Sequence, residues 1–374
     1  MAEFIAVTSK GMADVLADEL VGLGLKVLKK GPAGVTFDSN WEGCYRANLE
    51  LRTATRIIKP VLDFPAYKPD ELYNNIMKHD FTKYLGLNDT FMIDASVRDS
   101  SFHDQRFVAM KIKDAIADQF REKYGERPNV DNKEPDVMFM VRIVKNQVSV
   151  SVDTTGDNLS HRGYRSEQGE APLREHLAAG LVKMTGWECD TALVDPMCGS
   201  GTILIEAALM LKNITPGSLR KKFAFQKFAD FKSDVWDRLV TEALDREQAV
   251  PNVHLYGYDR DSKVVRMARR NAERAGVDDL ITFEQSGVDM LARPVEKGMM
   301  ILNPPYGERL GVTEELKDSY KDLAYGLKKE FKGWTCWILS GNEDLTKALK
   351  LKSSRRIPLF NGAIECRFLE YKIN

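Results

Sequence analysis

Asp195-Pro196-Met197-Cys198-Gly199-Ser200-Gly201-Thr202 is the stretch on which the fold of this chain turns. A short apolar run at 192–195 precedes it and an apolar helical pattern at 203–211 follows, so it reads as a strand-to-helix loop. Gly199 and Gly201 let the backbone approach a ligand closely, and the amides exposed at the helix start favour a polar or anionic group. The loop lacks both the Gly-Lys-Ser/Thr of a phosphate-binding loop and the full G-x-G-x-x-G fingerprint, so a tight turn alone explains it as well. Its neighbours decide the matter. Tyr256-Gly257-Tyr258-Asp259 closes the next strand on a carboxylate suited to both hydroxyls of a ribose. Gln285-Ser286-Gly287-Val288-Asp289 places another carboxylate after the third strand, where a helix N-cap would fit equally. Three such loops at the carboxyl ends of adjacent strands describe a nucleoside site.

Asn303-Pro304-Pro305-Tyr306-Gly307 follows the fourth strand. The prolines fix the loop's dihedrals. The Asn303 oxygen and the Pro304 carbonyl offer two acceptors to one planar amino group, and Tyr306 offers a flat surface on which a base can stack, worth about 1–3 kcal/mol per base. Beside a nucleoside pocket this is the candidate catalytic loop.

Strands are expected at 192–195, 253–258, 281–284, 298–302, 335–339, 356–360 and 364–371, with helices between most of them. That alternation gives an α/β, mainly parallel, doubly wound sheet. The last two strands are separated only by Asn361-Gly362, a strong hairpin signal, so the sheet closes with an antiparallel pair.

Upstream, strands at 4–7, 26–29, 34–37 and 56–64 alternate with helices at 12–21 and 41–51, the βαββαβ order of a ferredoxin-like unit. The last of these strands alternates only loosely. A second α+β piece follows: helices at 69–78 and 108–120, strands at 91–97, 137–144 and 148–152, and a tight turn at Asn146. Thr155-Gly156-Asp157 opens a polar stretch, to about His161, that reads as a linker. The expected domains are 1–64, 65–160 and 161–374.

With 374 residues, several domains are the natural expectation. Fifty-four Lys plus Arg against fifty-five Asp plus Glu give a net charge of −1, so any polynucleotide contact must come from local patches. The apolar runs are too short for a membrane helix, and residues 1–9 carry no secretion-signal pattern. Five scattered cysteines without a CxxC fit neither a disulfide scaffold nor a zinc ribbon. A cytoplasmic chain without a metal site is expected. His161 and His176 lack metal spacing, and Cys198 fits its loop by size.

The region 212–232 interleaves Lys212, Arg220, Lys221, Lys222, Lys227 and Lys232 with Phe223, Phe225, Phe228 and Phe231. This fits phosphate contact with base stacking, and equally a small aromatic core under a solvated basic face. Lys263, Arg266, Arg270 and Arg274 share one helix face, and Arg309 lies just beyond the catalytic loop. Each is a candidate RNA contact or a solvated charge.

DPMCGSGT, YGYDRD, SGVDM and NPPYG, in this order and spacing, resemble the class I S-adenosylmethionine-dependent methyltransferases that modify exocyclic amines. HRGYR (161–165) and APLREHLAAGLV (171–182) resemble the segment that covers the methionine end of the cofactor in the THUMP-domain RNA guanine-N2 methyltransferases, typified by the RlmL 23S rRNA enzymes. The resemblance spans the chain and implies ferredoxin-like and THUMP RNA-binding domains ahead of a Rossmann-like methyltransferase sheet. It implies that Asp195, Gly199 and Gly201 surround the methionine part of S-adenosylmethionine, with the Asp195 carboxylate near its ammonium, that Asp259 holds the ribose and Asp289 the adenine, and that Pro196, Met197 and Thr202 also line the cofactor. Asn303 and Pro304 would receive the target amine, and Tyr306 would stack on a base turned out of its helix. The implied reaction is methylation of a guanosine N2 in 23S rRNA. A tRNA guanine, an adenine N6 in DNA and a non-catalytic RNA-binding role are the alternatives. Longer RlmL members carry a second methyltransferase domain, so a single modification is expected from this sequence.

Overall fold

The computed structural model describes residues 2–165, 173–247, 253–306 and 314–374. The N-terminal part contains β1 (Ala2–Val7), α1 (Ala13–Gly22), β2 (Lys26–Gly31), β3 (Gly34–Ser39), α2 (Trp41–Glu50) and β4 (Arg56–Pro65). After these come α3 (Pro69–Met77), β5 (Thr90–Arg98), α4 (Gln105–Tyr124), β6 (Asn129–Val130), β7 (Val137–Val144) and β8 (Gln147–Asp153). They form one eight-stranded sheet in the order β2-β3-β1-β4-β8-β7-β5-β6. The two units expected from the sequence therefore share a sheet: β4 pairs with β1 on one side and with β8 on the other. Its loose alternation has a physical cause. Ile57 and Phe64 are both buried although an odd number of residues apart, and the register shift between Pro60 and Leu62 changes the face that points inward. A proline, which donates nothing to the ladder, is tolerated at such a bulge. Lys145 and Asn146, both at positive φ, form the two-residue turn between β7 and β8.

The C-terminal part contains α5 (Glu175–Met184), β9 (Ala192–Asp195), α6 (Thr202–Leu211), α7 (Ser233–Asp245), β10 (Leu255–Asp259), α8 (Ser262–Ala275) and β11 (Ile281–Gln285). It continues with β12 (Gly298–Leu302), α9 (Glu314–Glu330), β13 (Thr335–Ser340), α10 (Glu343–Ala348), β14 (Arg355–Asn361) and β15 (Ile364–Lys372). The sheet order is β11-β10-β9-β12-β13-β15-β14. Its first five members are parallel, and β15 runs antiparallel to both neighbours. The strand order reverses between β9 and β12, so a crevice opens at their carboxyl ends, where open α/β sheets bind ligands. Both loops singled out in the sequence sit there. The hairpin turn is Gly362-Ala363 rather than Asn361-Gly362: Asn361 still pairs with Ile364, and Gly362 supplies the positive φ.

At the junction of the halves one expectation changes and one open choice is decided. The stretch 154–161 is not a loose linker. Thr154, Thr155 and Ser160 are buried, Thr155 Oγ1 donates to Asn48 Oδ1, and the Arg56 guanidinium donates to the Gly156 carbonyl and pairs with buried Asp153. Its polar residues are partners for buried backbone rather than for water. Of the two readings open for the aromatics of 212–232, the structure takes the small core. Phe223, Phe225 and Phe228 are buried in the N-terminal core, with the Phe225 ring 4.5 Å from that of Tyr45 and Phe228 edge-on to Trp41. They close a core that the N-terminal half leaves open beside α2, which excludes base stacking for these rings. Phe225→Ala is expected to cost about 3–5 kcal/mol of stability in a urea titration, whereas a ring serving on the surface would leave the midpoint unchanged.

Candidate active site

The loop between β9 and α6 is shaped by what it must avoid. Gly201 has φ +81°, and a Cβ there would stand 2.9 Å from the Phe283 ring and 3.1 Å from Ala268. No side chain fits, so the backbone lies directly on the β11–α8 layer. Gly199 also has positive φ, but a Cβ on it would meet nothing within 4 Å, leaving open space over the loop. The Cys198 amide donates to the Tyr258 carbonyl at 2.9 Å and the Gly199 amide to Asp259 Oδ2 at 3.1 Å, tying the loop to the end of β10. The buried Asn271 donates to the Ser200 carbonyl at 3.1 Å.

Two carboxylates meet at this loop. Asp195 is buried and accepts the Met197 amide at 3.1 Å. Burial raises its pKa to about 8, opposed by the Met197 amide and reinforced by the nearby negative charge of Asp259. Asp259 is half-buried, with Oδ2 on Gly199 and Oδ1 accepting the Asp261 amide at 3.0 Å. Each oxygen keeps a further acceptor site for a ligand hydroxyl. Asp289 is exposed in the single helical turn 288–290 and does not cap it: Gly287 occupies the cap position without a side-chain bond. Pro196 and Met197 lie within the loop, and Met197, Tyr256 and Tyr258 are partly buried against the same core. Cys198 is buried, and burial pushes its thiol pKa well up, so it is no nucleophile.

At the end of β12 the Asn303 Oδ1 is buried and receives no hydrogen bond from any described residue. A buried acceptor left unpaired costs about 1–3 kcal/mol, which marks a place where a donor from outside belongs. Pro304 is buried and Pro305 exposed. Tyr306 is half-buried, and its hydroxyl accepts from Asn361 Nδ2 at 2.7 Å. The Tyr320 hydroxyl donates to the Pro305 carbonyl at 3.3 Å.

Of the basic candidates, the Arg220 guanidinium donates to the carbonyls of Asp157, Asn158 and His161 and lies over Phe223, so it helps to hold the junction. Lys227 lies 3.4 Å from both Asp89 and Asp136, which offset its charge. Lys221, Lys222, Arg266 and Arg270 are exposed. Arg309 lies outside the described residues.

Sequence reasoning picked out the segments 161–165 and 171–182 but not how their side chains pair behind the loop. Arg165, nearly buried, donates to Thr202 Oγ1 at 2.9 Å and lies 3.3 Å from Glu175 on α5. Arg162 and Glu206 form an ion pair of 3.4 Å that is 1% and 0% exposed, and the Tyr164 hydroxyl donates to the same carboxylate at 3.1 Å. The His176 ring bridges Ser9 and Ser160 at 2.7 and 2.6 Å, and burial lowers its pKa to about 3. The segments 161–165 and 171–182 stand out in the sequence by their resemblance, but only the position of Glu206 in an otherwise apolar helix points to the buried ion pair.

The sign of the Asp195 shift yields a test. A carboxyl whose pKa rises from 3.8 to about 8 on folding holds an extra proton between those values, so the unliganded fold loses stability as pH climbs from about 4 to about 8. Denaturant titrations across this range should show the stability gap between parent and Asp195→Asn shifting steadily in favour of the variant. A pH-independent gap would mean that Asp195 is not held protonated.

Comparison with known proteins agrees with this architecture. A family model described as "RMKL-like, methyltransferase domain" matches residues 162–370, a THUMP domain model matches 66–153 and an RlmL ferredoxin-like domain model matches 3–58. The chain is 39% identical to the ribosomal RNA large subunit methyltransferase K/L of Syntrophotalea carbinolica over 99% of its own length, but spans about half of that relative (53%). It is 36% identical to the putative RNA methyltransferase slr0064 of Synechocystis, covering 99% of this chain and 96% of that one. The crystal structure of SMU.472, a putative methyltransferase complexed with SAH, superposes with a TM-score of 0.92 at 29% identity, covering 100% and 98% of the two chains. With a methyltransferase model matched over more than half of its length and a relative matched almost end to end, the chain belongs to the RMKL-like methyltransferase family.

Proposed function

We propose that the chain transfers a methyl group from S-adenosylmethionine to the exocyclic N2 of a guanosine in 23S rRNA, with the base turned out of its helix into the Asn303–Tyr306 loop. The observation that carries this is the buried, unpaired Asn303 oxygen beside a glycine loop lined by two carboxylates. The residues fit the cofactor that the family implies. A cationic, hydroxyl-bearing ligand suits a loop where the Asp195 and Asp259 carboxyls lie near one another and Gly199 leaves room. Asp195, Pro196, Met197, Gly199, Gly201 and Thr202 would hold the methionine part, Asp259 the ribose and Asp289 the adenine.

The bound sulfonium supplies an already activated methyl group. The protein's task is to present the amine. A guanine N2 is a weak nucleophile because its lone pair is delocalised into the ring. Acceptance of its two hydrogens by Asn303 Oδ1 and the Pro304 carbonyl favours a pyramidal nitrogen and stabilises the positive charge that grows on it. Tyr306 stacks on the base and fixes its distance from the methyl group. The THUMP-bearing half would hold the RNA, with Lys221, Lys222, Arg266 and Arg270 as exposed phosphate partners.

The test is incubation with tritiated S-adenosylmethionine and, separately, unmodified 23S rRNA, tRNA and DNA, followed by digestion to nucleosides. Label in N2-methylguanosine from 23S rRNA is expected. Label in tRNA alone would move the substrate, label as N6-methyladenine in DNA would overturn the RNA assignment, and cofactor binding without transfer to any of the three would favour a binding role. Asn303→Ala should lower kcat about 10²–10³-fold while leaving cofactor affinity, read by calorimetry, unchanged.

A further inference from the structure

We propose that Asn361 is a positioning residue for methyl transfer, fixing Tyr306 over the target base, and that the N-terminal segment 10–12 braces the hairpin from which Asn361 acts. The inference rests on the catalytic reading of the Asn303–Tyr306 loop and adds to it how that loop is held.

The prolines restrict the backbone at 304 and 305, and the Tyr320 hydroxyl holds the Pro305 carbonyl from the α9 side. Neither fixes the Tyr306 ring. Beyond its packing against the core, two contacts define its setting. The ring edge lies against Gly341, where a Cβ would stand 3.1 and 3.2 Å from Tyr306 Cδ2 and Cε2. The Asn361 amide then donates to the Tyr306 hydroxyl at 2.7 Å. Because the hairpin turn is Gly362-Ala363, Asn361 is the last residue of β14, anchored by its pairing with Ile364. A ring that must meet a flipped base in one orientation gains from such a fixed tether, because positioning errors of about 1 Å cost up to about 10²-fold in rate.

The hairpin is an edge of the sheet, and β14 has only β15 beside it. Its other support comes from the opposite half of the molecule. Lys10 Nζ lies 4.2 Å from the centroid of the Phe360 ring, next to Asn361. Gly11 has φ +90°, and a Cβ on it would stand 2.6 Å from the Pro358 carbonyl and 3.1 Å from Leu359 Cα, so its bare backbone rests on β14. Met12 is fully buried against Gly180 of α5. Residues 10–12 thus wedge between α5 and β14, and the half that bears the THUMP unit touches the strand that tethers the stacking ring.

The experiment uses the full chain, S-adenosylmethionine and the 23S rRNA substrate, and measures kcat and KM for Asn361→Ala, Tyr306→Phe, their combination and Lys10→Ala. Tyr306→Phe keeps the stacking face and removes only the acceptor. Asn361→Ala and Tyr306→Phe should each lower kcat about tenfold with KM for the cofactor unchanged, and the double variant should lose no more than either. Lys10→Ala should lower kcat about threefold, and this loss should vanish in the Asn361→Ala background. The proposal falls if Asn361→Ala turns over within twofold of the parent, if the two losses multiply, or if Lys10→Ala raises KM for RNA without touching kcat, as a phosphate contact would. Should Asn361→Ala lower the melting temperature, Tyr306→Phe alone decides, since it leaves the hairpin sequence intact. Asn303→Ala separates the two levels: if it abolishes transfer while Asn361→Ala matches the parent, only the tether is wrong, and if it leaves transfer intact, the reading of the loop itself has failed.

Discussion

A buried arginine sets the constraint around which the rest is arranged. Arg162 lies out of water with Glu206, and its remaining donors go to the carbonyls of Leu159 and Arg52. Isolated, either charge would be strongly unfavourable there, so the pair, its tyrosine and the two carbonyls have to come together as a set. They belong to different parts of the chain: Arg52 to the first sheet's unit, Leu159 to the junction, Glu206 to the helix that opens at the glycine loop. Arg52 repeats the device one layer away, donating to the carbonyls of Leu209 and Ile214 at the end of α6, where a cation also complements the helix dipole. The helix whose first residues shape the cofactor loop is therefore clamped at its far end by the N-terminal half.

Most of the architecture was legible because it rests on local patterns. Strands β9, β10 and β12 are short runs with Asp195, Asp259 and Asn303 at or just past their ends. Legibility failed where a residue's partner is distant in sequence. Phe223, Phe225 and Phe228 among lysines fit a nucleic-acid surface and a small core equally until Tyr45 and Trp41, far upstream, are seen beneath them. Thr155-Gly156-Asp157 has the composition of a linker, yet its polar groups serve Asn48, Arg56 and Arg220. The expected split of the N-terminal part into two units missed their shared sheet, since strand pairing between β4 and β8 leaves no trace in either strand alone.

The candidate site divides along the same line. Asp195, Asp259 and Asn303 could be picked out because each ends a strand of recognisable pattern, and the structure brings the first two to one loop and sets the third at the neighbouring strand end. Asp289 ends up on the exposed rim. The supports of the site could not be found this way. Tyr320 sits in an amphipathic helix like any core residue, Gly341 stands in no motif, and Asn361 has the look of a turn residue although its side chain serves another loop. Chemistry-bearing residues follow strand ends, whereas the residues that hold them follow the packing.

The insertion between α6 and β10 has a consequence for how the molecule is built. It leaves the second sheet, supplies three rings to the core of the first, and returns. A cut anywhere near the apparent boundary at 160 would strip those rings of their surroundings and open the aromatic cluster that receives them. Neither half is then a module in the sense of a part that can be lent to another protein. What looks like a string of three units in the sequence is interleaved in space, so shuffling by recombination would have to carry the insertion along with the half that it completes.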